Sequence, residues 1–452
     1  MKLLFVLHQY LPRHVTGTEQ YVRSLARGLR AAGHEVTVFA YEPLIQFAAP
    51  GRDWFEQDEV VEDVPVRRCS VHPRHSANRE LGEYENPLVA GMFARWLAGQ
   101  SFDVVHVFHP RNIGMCALRE PRRLGLPVVV HLMDFWFLCP NYLLLRSDGS
   151  LCDGPPDRGF GCIGCMDARL AEKVEQQELR PSLEVMADLP PPAAGLDPTP
   201  ARRAQALVAR KPTLFAELAQ ADAVIAPSRF LRQTFEAQGF PEGVIRHLPY
   251  GLDPSRGAVR PADARPRRDD FLHVGYIGSI SEHKGVHVAI AAVRALERDD
   301  VRLHVHGGLE SHPEYSEELQ RLAGDDPRIA FEGRFESAQL GQVLSGLDCI
   351  AVPSLWYENT PFSVLEALNF GLPVLASDLG GIAEVVVHEQ NGLLFPAGDG
   401  AALGAAIARL ADDRALLQEL AKGASVPDVQ EDVAWLAQLY VEVTQANTAR
   451  AR

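Results

Sequence analysis

Short apolar runs alternate with helix-like segments along almost the whole chain. The first 40 residues show the pattern: an apolar run at Leu3–Leu7, a loop with Pro12 and Gly17, apolar residues at helical spacing, then a second run at Glu35–Ala40. This order is a strand–loop–helix–strand unit, from which parallel sheets are built. The chain is therefore expected to be an α/β protein.

The pattern runs twice. Strands are predicted in the first series at Phe102–His109, Pro127–Met133, Asp222–Ser228 and Gly243–Asp253. The polar stretch Pro254–Asp270, rich in Pro and Arg, predicts a linker, and a second series of strands and helices follows it. Two successive series predict two doubly wound, Rossmann-like α/β domains.

The predicted boundaries follow from these breaks. The first domain is expected over residues 1–254, with cysteine-rich and helical insertions at about 139–215 that include the Pro-rich stretch Leu189–Pro200. The second domain is expected over residues 271–426, and residues 427–452 are expected to form a terminal helix and tail.

Charge and hydropathy limit which binding partners and which cellular location are expected for this chain. The chain of 452 residues has 44 basic and 59 acidic side chains and a net charge of −15, which argues against nucleic acid as a partner. No apolar run reaches the ~18 residues of a transmembrane helix. The apolar run near the N-terminus is shorter than the ~7–15 residues of a signal sequence. These features predict a cytoplasmic protein.

A candidate anion site lies in the string VPSLWYENTPFSVLEALNFG. A strand should end near Ser354, and Asn359 or Thr360 could cap a helix with Pro361 in its first turn. Free N–H groups at such a helix end attract phosphate. A carboxylate at Glu366 suits two ribose hydroxyls, and Glu358 would lie beyond the phosphates.

A second glycine-rich strand end is GYIGSISEHKG, Gly275–Gly285. Gly278 allows close backbone approach, and the point charge of Lys284 could hold a diphosphate. Strand-end glycines are common, so a surface role for Lys284 is the alternative.

Four of the seven cysteines are crowded together: Cys139, Cys152, Cys162 and Cys165, spaced C-x12-C-x9-C-x2-C. The final C-x2-C is a chelating turn, and four thiolates complete a tetrahedral zinc site. A structural zinc ion is the favoured interpretation, because the intervening loop residues cannot form a core of their own. Disulfides or free thiols, and an iron–sulfur cluster, are the alternatives.

Several strings together resemble glycosyltransferase family 4. Glu358 and Glu366 match the E-x7-E signature of that family, and three further strings match in order: Ala226–Leu231, Pro249–Asp253 and Asn391–Asp399. The resemblance implies the GT-B fold, in which two Rossmann-like domains face a cleft and the C-terminal helix crosses back to the N-terminal domain.

The resemblance also implies an activity. It implies a retaining transfer from a nucleotide-diphospho-sugar to a glycan, glycolipid or lipid-linked acceptor, in the synthesis of cell-surface polysaccharide or glycoconjugate. No obligatory catalytic metal is expected. Similar cysteine inserts occur in some members of the family, and the loop would shape the acceptor site on the N-terminal domain.

The family pattern assigns roles to individual residues. It implies that Glu366 binds ribose, that Glu358 contacts the donor sugar or reacting centre, and that Lys284 stabilises the leaving diphosphate. The other donor-binding positions that it implies are Gly17, Gly278, Ser279, Thr360, Pro361, Phe362, Ser363, Gly380, Gly381 and Glu384.

Two positions depart from the family pattern. Ser279 replaces an expected arginine, and Met133 replaces an expected histidine before Asp134. His131 could substitute as a catalytic histidine, and a core histidine is the alternative. A nucleotide-sugar epimerase of the same architecture and a non-catalytic nucleotide-sugar-binding protein are the rival functions.

Clusters of basic residues occur in this acidic chain. They could face an anionic acceptor or associate peripherally with the inner face of the membrane, and solvated helix faces are the alternative. The basic residues in these clusters are Arg119, Arg122, Arg123, Arg202, Arg203, Arg210 and Lys211.

Overall fold

The computed structural model describes residues 1–76, 78–187, 189–191, 198–253 and 270–450, without the side chains of Gln46 and Phe47. These residues form two compact units. The first unit contains Met1–Pro249 and the chain from Gln430 onward, and the second contains Tyr250–Val429. The predicted linker, up to residue 269, and residues 192–197 of the Pro-rich stretch lie outside the described residues.

The first unit contains an eight-stranded sheet in the order β3-β4-β2-β1-β5-β6-β7-β8. All neighbouring strands are parallel except β3 and β4. The strands are β1 (Lys2–Leu7), β2 (Glu35–Tyr41), β3 (Trp54–Val61), β4 (Val64–Val71), β5 (Val104–His109), β6 (Val128–His131), β7 (Ala223–Ala226) and β8 (Ile245–His247).

The antiparallel hairpin β3–β4 was not predicted from the sequence. Its two-residue turn, Glu62 and Asp63, has φ values of 48° and 63°. Positive φ at both central residues matches the right-handed twist of a hairpin but is usually supplied by Asn or Gly. The turn therefore has the required geometry without the residues that signal it.

Ten helices cover or extend this sheet among the described residues up to Pro249. They are α1 (Gly17–Ala31), α2 (Ile45–Ala48), α3 (Arg79–Gly82), α4 (Pro87–Ala98), α5 (Cys116–Arg123), α6 (Phe160–Met166), α7 (Ala168–Gln176), α8 (Arg180–Met186), α9 (Pro200–Leu218) and α10 (Arg229–Ala237). The helices α6 to α9 and the cysteine-rich loop before them form one insertion between β6 and β7.

The second unit contains a fully parallel six-stranded sheet in the order β11-β10-β9-β12-β13-β14. Its strands are β9 (Leu272–Ile277), β10 (Val301–His306), β11 (Ile329–Gly333), β12 (Cys349–Val352), β13 (Val374–Ser377) and β14 (Gly392–Phe395). Its helices are α11 (Val286–Ala295), α12 (Pro313–Ala323), α13 (Leu340–Ser345), α14 (Phe362–Asn369), α15 (Ile382–Val385), α16 (Gly400–Asp412) and α17 (Arg414–Lys422).

Both faces of the second sheet are buried. Along β12, Cys349 and Ala351 pack into one apolar cluster, and Ile350 and Val352 pack into another on the opposite face. Helices on both faces explain why these strands read as continuous apolar runs. The prediction of two doubly wound α/β domains is confirmed.

The last helix, α18 (Val429–Arg450), belongs to the first unit from Gln430 onward. The Tyr21 hydroxyl donates to Asp432 Oδ2 at 2.8 Å, and the Tyr440 hydroxyl lies 2.7 Å from His106 Nδ1. Both contacts are buried. The predicted return of the terminal helix to the first domain is therefore confirmed.

None of the helices in the described ranges is both long and apolar enough to cross a bilayer.

We expect Tyr440→Phe to destabilise the first unit, because it removes the hydroxyl that pairs with a fully buried histidine. Loss of one partner of a buried hydrogen bond costs about 1–3 kcal/mol. Urea unfolding monitored by circular dichroism measures the change. Glu442→Gln on the same helix is the control, because its half-exposed ion pair with Arg246 is worth less than about 1 kcal/mol. Equal stability of the two variants would contradict the role of Tyr440.

Candidate functional site

Lys284 and Glu358 meet at the carboxyl edge of the second sheet. Lys284 ends a short 3-10 turn, Glu282–Lys284, that follows β9, and Glu358 follows β12. Their side chains form an ion pair with Lys284 Nζ 2.6 Å from Glu358 Oε1. Neighbouring parallel strands end at the same edge, so residues 74 positions apart in sequence become partners.

Glu358 is held by more than the lysine. Its Oε1 also accepts hydrogen bonds from Ser354 Oγ at 3.0 Å and from Trp356 Nε1 at 2.9 Å. The residue is only 6% exposed, and the ammonium of Lys284 lies 5.0 Å from the Trp356 ring centroid. Three donors on one oxygen fix the carboxylate, while an ammonium has further N–H donors for a second anion.

Gly285 allows the lysine turn to approach the end of β12. Its φ is 71°, and a Cβ atom there would lie 1.9 Å from the carbonyl oxygen of Pro353. The Leu355 N–H also donates to the His283 carbonyl at 2.8 Å. Only glycine permits this backbone contact, which brings Lys284 beside Ser354.

The glycine pair Gly380–Gly381 packs on the backbone of Glu358. The Gly381 N–H donates to the Glu358 carbonyl at 2.7 Å. A Cβ atom on Gly381 would lie 1.7 Å from the Asn359 carbonyl oxygen, so no larger residue fits. The structure thus brings Lys284, Glu358 and this glycine pair together.

Helix α14 starts one residue later than expected. Pro361 is the N-cap with extended backbone angles, and it offers no side-chain cap to the first turn. The predicted capping by Asn359 or Thr360, with Pro361 inside the helix, is therefore wrong. The chain is extended here because Glu358 and Asn359 pack against the Gly380–Gly381 turn.

The remaining predicted donor residues of the second unit have different environments. Ser363 lies in the first turn of α14, and Glu366 in the next turn is 7% exposed. Gly278 and Ser279 are exposed just after β9, and Glu384 is exposed on α15. Burial lowers the pKa of His283, which packs edge-on against Trp356, to about 4, so this imidazole is neutral at pH 7.

Gly17 and His131 belong to the first unit. Gly17 begins α1, where Thr16 donates its N–H to the Glu19 carboxylate at 2.7 Å.

His131 ends β6 and is fully buried, with its ring 5.5 Å from Tyr21 and 5.7 Å from Phe108. Burial lowers its pKa to about 3. These surroundings agree with the alternative of a core histidine.

A histidine–aspartate pair at the carboxyl edge of the first sheet was not anticipated. His109, the last residue of β5, places Nε2 2.9 Å from Asp134 Oδ2. His8, directly after β1, lies with its ring 4.2 Å from that of His109. Burial, with His109 nearby, lowers the pKa of His8. Both histidines stand at the ends of strands that the sequence predicts, and this position could have indicated a functional pair.

The four crowded cysteines lie near one another but not as a preformed metal site. Burial raises the pKa of Cys162 to about 12, and nearby Cys139, Cys165 and Cys152 add to the rise. Asn141 accepts from the Cys139 thiol at 2.8 Å and lies 3.9 Å from Cys165 Sγ. Across the described residues, no group of three or more His, Cys, Asp or Glu side chains is placed to hold a metal ion.

Two family profiles match this chain. The profile described as glycosyl transferases group 1 matches residues 272–413, and the profile described as a glycosyl transferase 4-like domain matches residues 16–161. The two profiles fall in the second and first units respectively.

Curated relatives are similar over different lengths. The GDP-mannose-dependent alpha-mannosyltransferase of Mycobacterium tuberculosis is 26% identical over 88% of this chain and 85% of the relative. The amylovoran biosynthesis glycosyltransferase of Erwinia amylovora is 28% identical over 45% of this chain. This chain spans 50% of the length of that relative.

Solved structures show the same fold. Sucrose-phosphate synthase from Thermosynechococcus elongatus has a TM-score of 0.67 at 20% identity, covering 98% of this chain and 99% of that one. An Anabaena protein solved with UDP and glucose has a TM-score of 0.63 at 19% identity, covering 97% of this chain and 99% of that one. With a profile match in each unit and the same two-domain fold, the chain belongs to the group 1 glycosyltransferases of the GT-B fold.

Proposed function

We propose that this protein transfers a glycosyl group from a nucleotide-diphospho-sugar to a glycan, glycolipid or lipid-linked acceptor, with retention at the anomeric carbon. The contact that carries the proposal is the Lys284–Glu358 ion pair at the carboxyl edge of the second sheet. A fixed cation beside the N-terminus of α14 suits a diphosphate. The relative named for GDP-mannose and the neighbour solved with UDP add support.

The chemical problem is departure of a diphosphate from an electron-poor anomeric carbon. In our proposal, Lys284 keeps its contact with Glu358 and directs its other N–H donors to the leaving phosphate. The backbone N–H groups of Thr360, Phe362, Ser363 and Gly380 supply the neutral donors. Because these groups are positioned before the donor binds, little reorganisation is needed as charge develops.

The carboxylates have separate roles in this proposal. Glu366 binds the ribose hydroxyls, because a carboxylate accepts two vicinal O–H groups. Glu358 faces the donor sugar and fixes Lys284. The exposed Ser279 stands where the family pattern expects an arginine, so Lys284 carries a larger share of the charge stabilisation.

The acceptor side of the proposal rests on the first unit. His109 and Asp134 lie at the carboxyl edge of its sheet, where parallel α/β sheets bind ligands. We place the acceptor there and assign the reaction to synthesis of cell-surface polysaccharide or glycoconjugate, as the name of the amylovoran relative suggests.

We expect Glu366→Ala to weaken binding of UDP or GDP by roughly 10–100-fold. Loss of charge-assisted hydrogen bonds to ribose costs about 1.5–3 kcal/mol. Isothermal titration with each nucleotide measures the affinity. The control is Glu389→Ala, which removes an exposed glutamate of the same unit that pairs with Arg409. An unchanged affinity in Glu366→Ala would remove Glu366 from the site.

We expect Lys284→Met to lower the rate of donor turnover by about 10²–10³-fold, because one preorganised charge on the leaving group is lost. Release of UDP from UDP-glucose, or of GDP from GDP-mannose, measures the rate. Lys422→Met, which removes a lysine with a 71% exposed side chain from the same unit, is the control. Equal rates in the two variants would refute the role of Lys284. Conversion of the donor only into its epimer would instead favour the epimerase.

We also propose that Cys139, Cys152, Cys162 and Cys165 bind a structural zinc ion. Their spacing and the effect of three of them on the pKa of Cys162 support a common site. The thiols would have to rotate towards the ion, and binding would release their protons. Pairing as disulfides remains the rival interpretation of the same four residues.

We expect about one zinc ion per chain in anaerobically purified protein, as a tetrahedral four-cysteine site requires. Elemental analysis measures the metal. Cys162→Ser and Cys165→Ser should lose it, whereas Cys349→Ala should retain it, because Cys349 lies in the core of the second unit. Metal-free wild-type protein would argue against zinc and for ordinary thiols or disulfides.

A further inference from the structure

A cavity of about 460 Å³ opens in the first unit. Tyr41 and Val71, at the ends of β2 and β4, and Arg111, just after β5, form one part of its wall. Pro140 and Met166 from the cysteine-rich insertion form another. The cavity is at the carboxyl edge of the parallel strands, and its volume suits a small ligand such as a monosaccharide or disaccharide.

Arg210 of α9 lines this cavity and is 2% exposed. Its Nη2 donates to the Trp136 carbonyl at 2.7 Å. Its guanidinium carbon lies 4.7 Å from the ring centroid of Trp136 and 5.2 Å from that of Tyr84. Both Nε and Nη1 are buried, and no atom of the described residues accepts a hydrogen bond from either.

The acidic residues of the cavity wall are already paired with other arginines. Arg203 forms ion pairs with Glu80 and, at 2.8 Å, with Asp167. Arg111 pairs with Glu83 at 3.1 Å. Each carboxylate of the wall therefore has its close ion pair with an arginine other than Arg210, and Glu83 adds only a longer-range attraction to the Arg210 charge.

Arg210 thus keeps a buried charge with one carbonyl and two aromatic rings as its described contacts. A buried cation with two N–H donors that lack acceptors costs free energy, and retention of such a group suggests a function. An anion entering the cavity would supply the missing acceptors.

We propose that this cavity binds the anionic group of a ligand, a carboxylate or a phosphate on a sugar, and that Arg210 holds it. The planar guanidinium can donate two parallel hydrogen bonds to either group. Arg111 is a second donor, because its buried Nε also has no acceptor among the described residues. That this ligand is the acceptor rests on the proposed function, whereas the binding itself does not.

The test measures binding of glucuronate, glucose 6-phosphate and glucose to the full chain by isothermal titration. We expect at least one charged sugar to bind ten or more times more tightly than glucose, and inorganic phosphate to displace it. Whichever of the two charged sugars binds with the higher affinity identifies the preferred anion as a carboxylate or a phosphate. Similar affinities for charged and neutral sugars, or no displacement by phosphate, would overturn the proposal.

Variants of Arg210 test whether this side chain holds the anion. Arg210→Gln should lose ten-fold or more in affinity for the charged sugar, and Arg210→Lys should recover part of it. Arg123→Gln, in which a surface arginine of the same unit with a 61% exposed side chain is removed, should bind like wild type. If Arg210→Gln does not fold, Arg210→Lys and the phosphate displacement on wild type decide the outcome.

Zinc content and nucleotide binding are measured on the same proteins. Arg210 lies close enough to Cys139 for each to affect the pKa of the other. Loss of zinc together with sugar binding in Arg210→Gln would make Arg210 a support of the cysteine cluster and overturn the proposal. If wild-type protein binds a charged sugar but neither UDP nor GDP, the proposed transferase function would be contradicted, and the proposed anion site would be supported.

Discussion

Parallel strand pairing with both faces buried is the constraint on which the rest of this structure depends. The central strands, such as β1, β7 and β12, are buried and their side chains are almost entirely apolar, because helices cover both faces of each sheet there. Groups that can do chemistry are displaced to the strand ends and the loops that follow them. His109 is the last residue of β5, and Ser354 and Lys284 lie in the loops after β12 and β9. Because parallel strands end together, each sheet gathers these groups along one edge.

The same constraint explains what the sequence could predict. Lys284 and Glu358 lie in loops that follow predicted strands, so the order of elements in the sequence was enough to predict that they meet at one edge of the sheet. The hairpin β3–β4 escaped prediction because Glu62 and Asp63 adopt positive φ without Asn or Gly. The start of α14 was shifted by a contact with Gly381, which is a tertiary effect.

Contacts between residues that are distant in sequence could not be predicted from sequence patterns. His109 and Asp134 come from different strand ends, and Arg210 meets Trp136 from a helix 74 positions later in the chain. The sequence marked Arg210 only as part of a basic cluster. Its burial follows from the packing of α9 against α3, α5 and the other helices of the insertion.

A second buried charge in the first unit shows how unusual Arg210 is. Burial alone would raise the pKa of Glu42, but hydrogen bonds from His14, the Leu44 N–H and Arg13 lower it to about 2. Its carboxylate is thus fully compensated by the protein itself. The fold can satisfy a buried charge when only stability is at stake, which makes the incomplete coordination of Arg210 informative.

The placement of α18 in the first unit has a consequence for biosynthesis. On the ribosome, the residues up to Pro249 emerge before the second unit, yet the partners of Tyr21 and His106 are made after it. At synthesis rates of about 5–20 residues per second, the intervening second unit takes roughly 10–40 s to appear. The first unit must wait through that interval with an incomplete core, while the second can fold as soon as it is released. The first unit therefore completes its folding after the second.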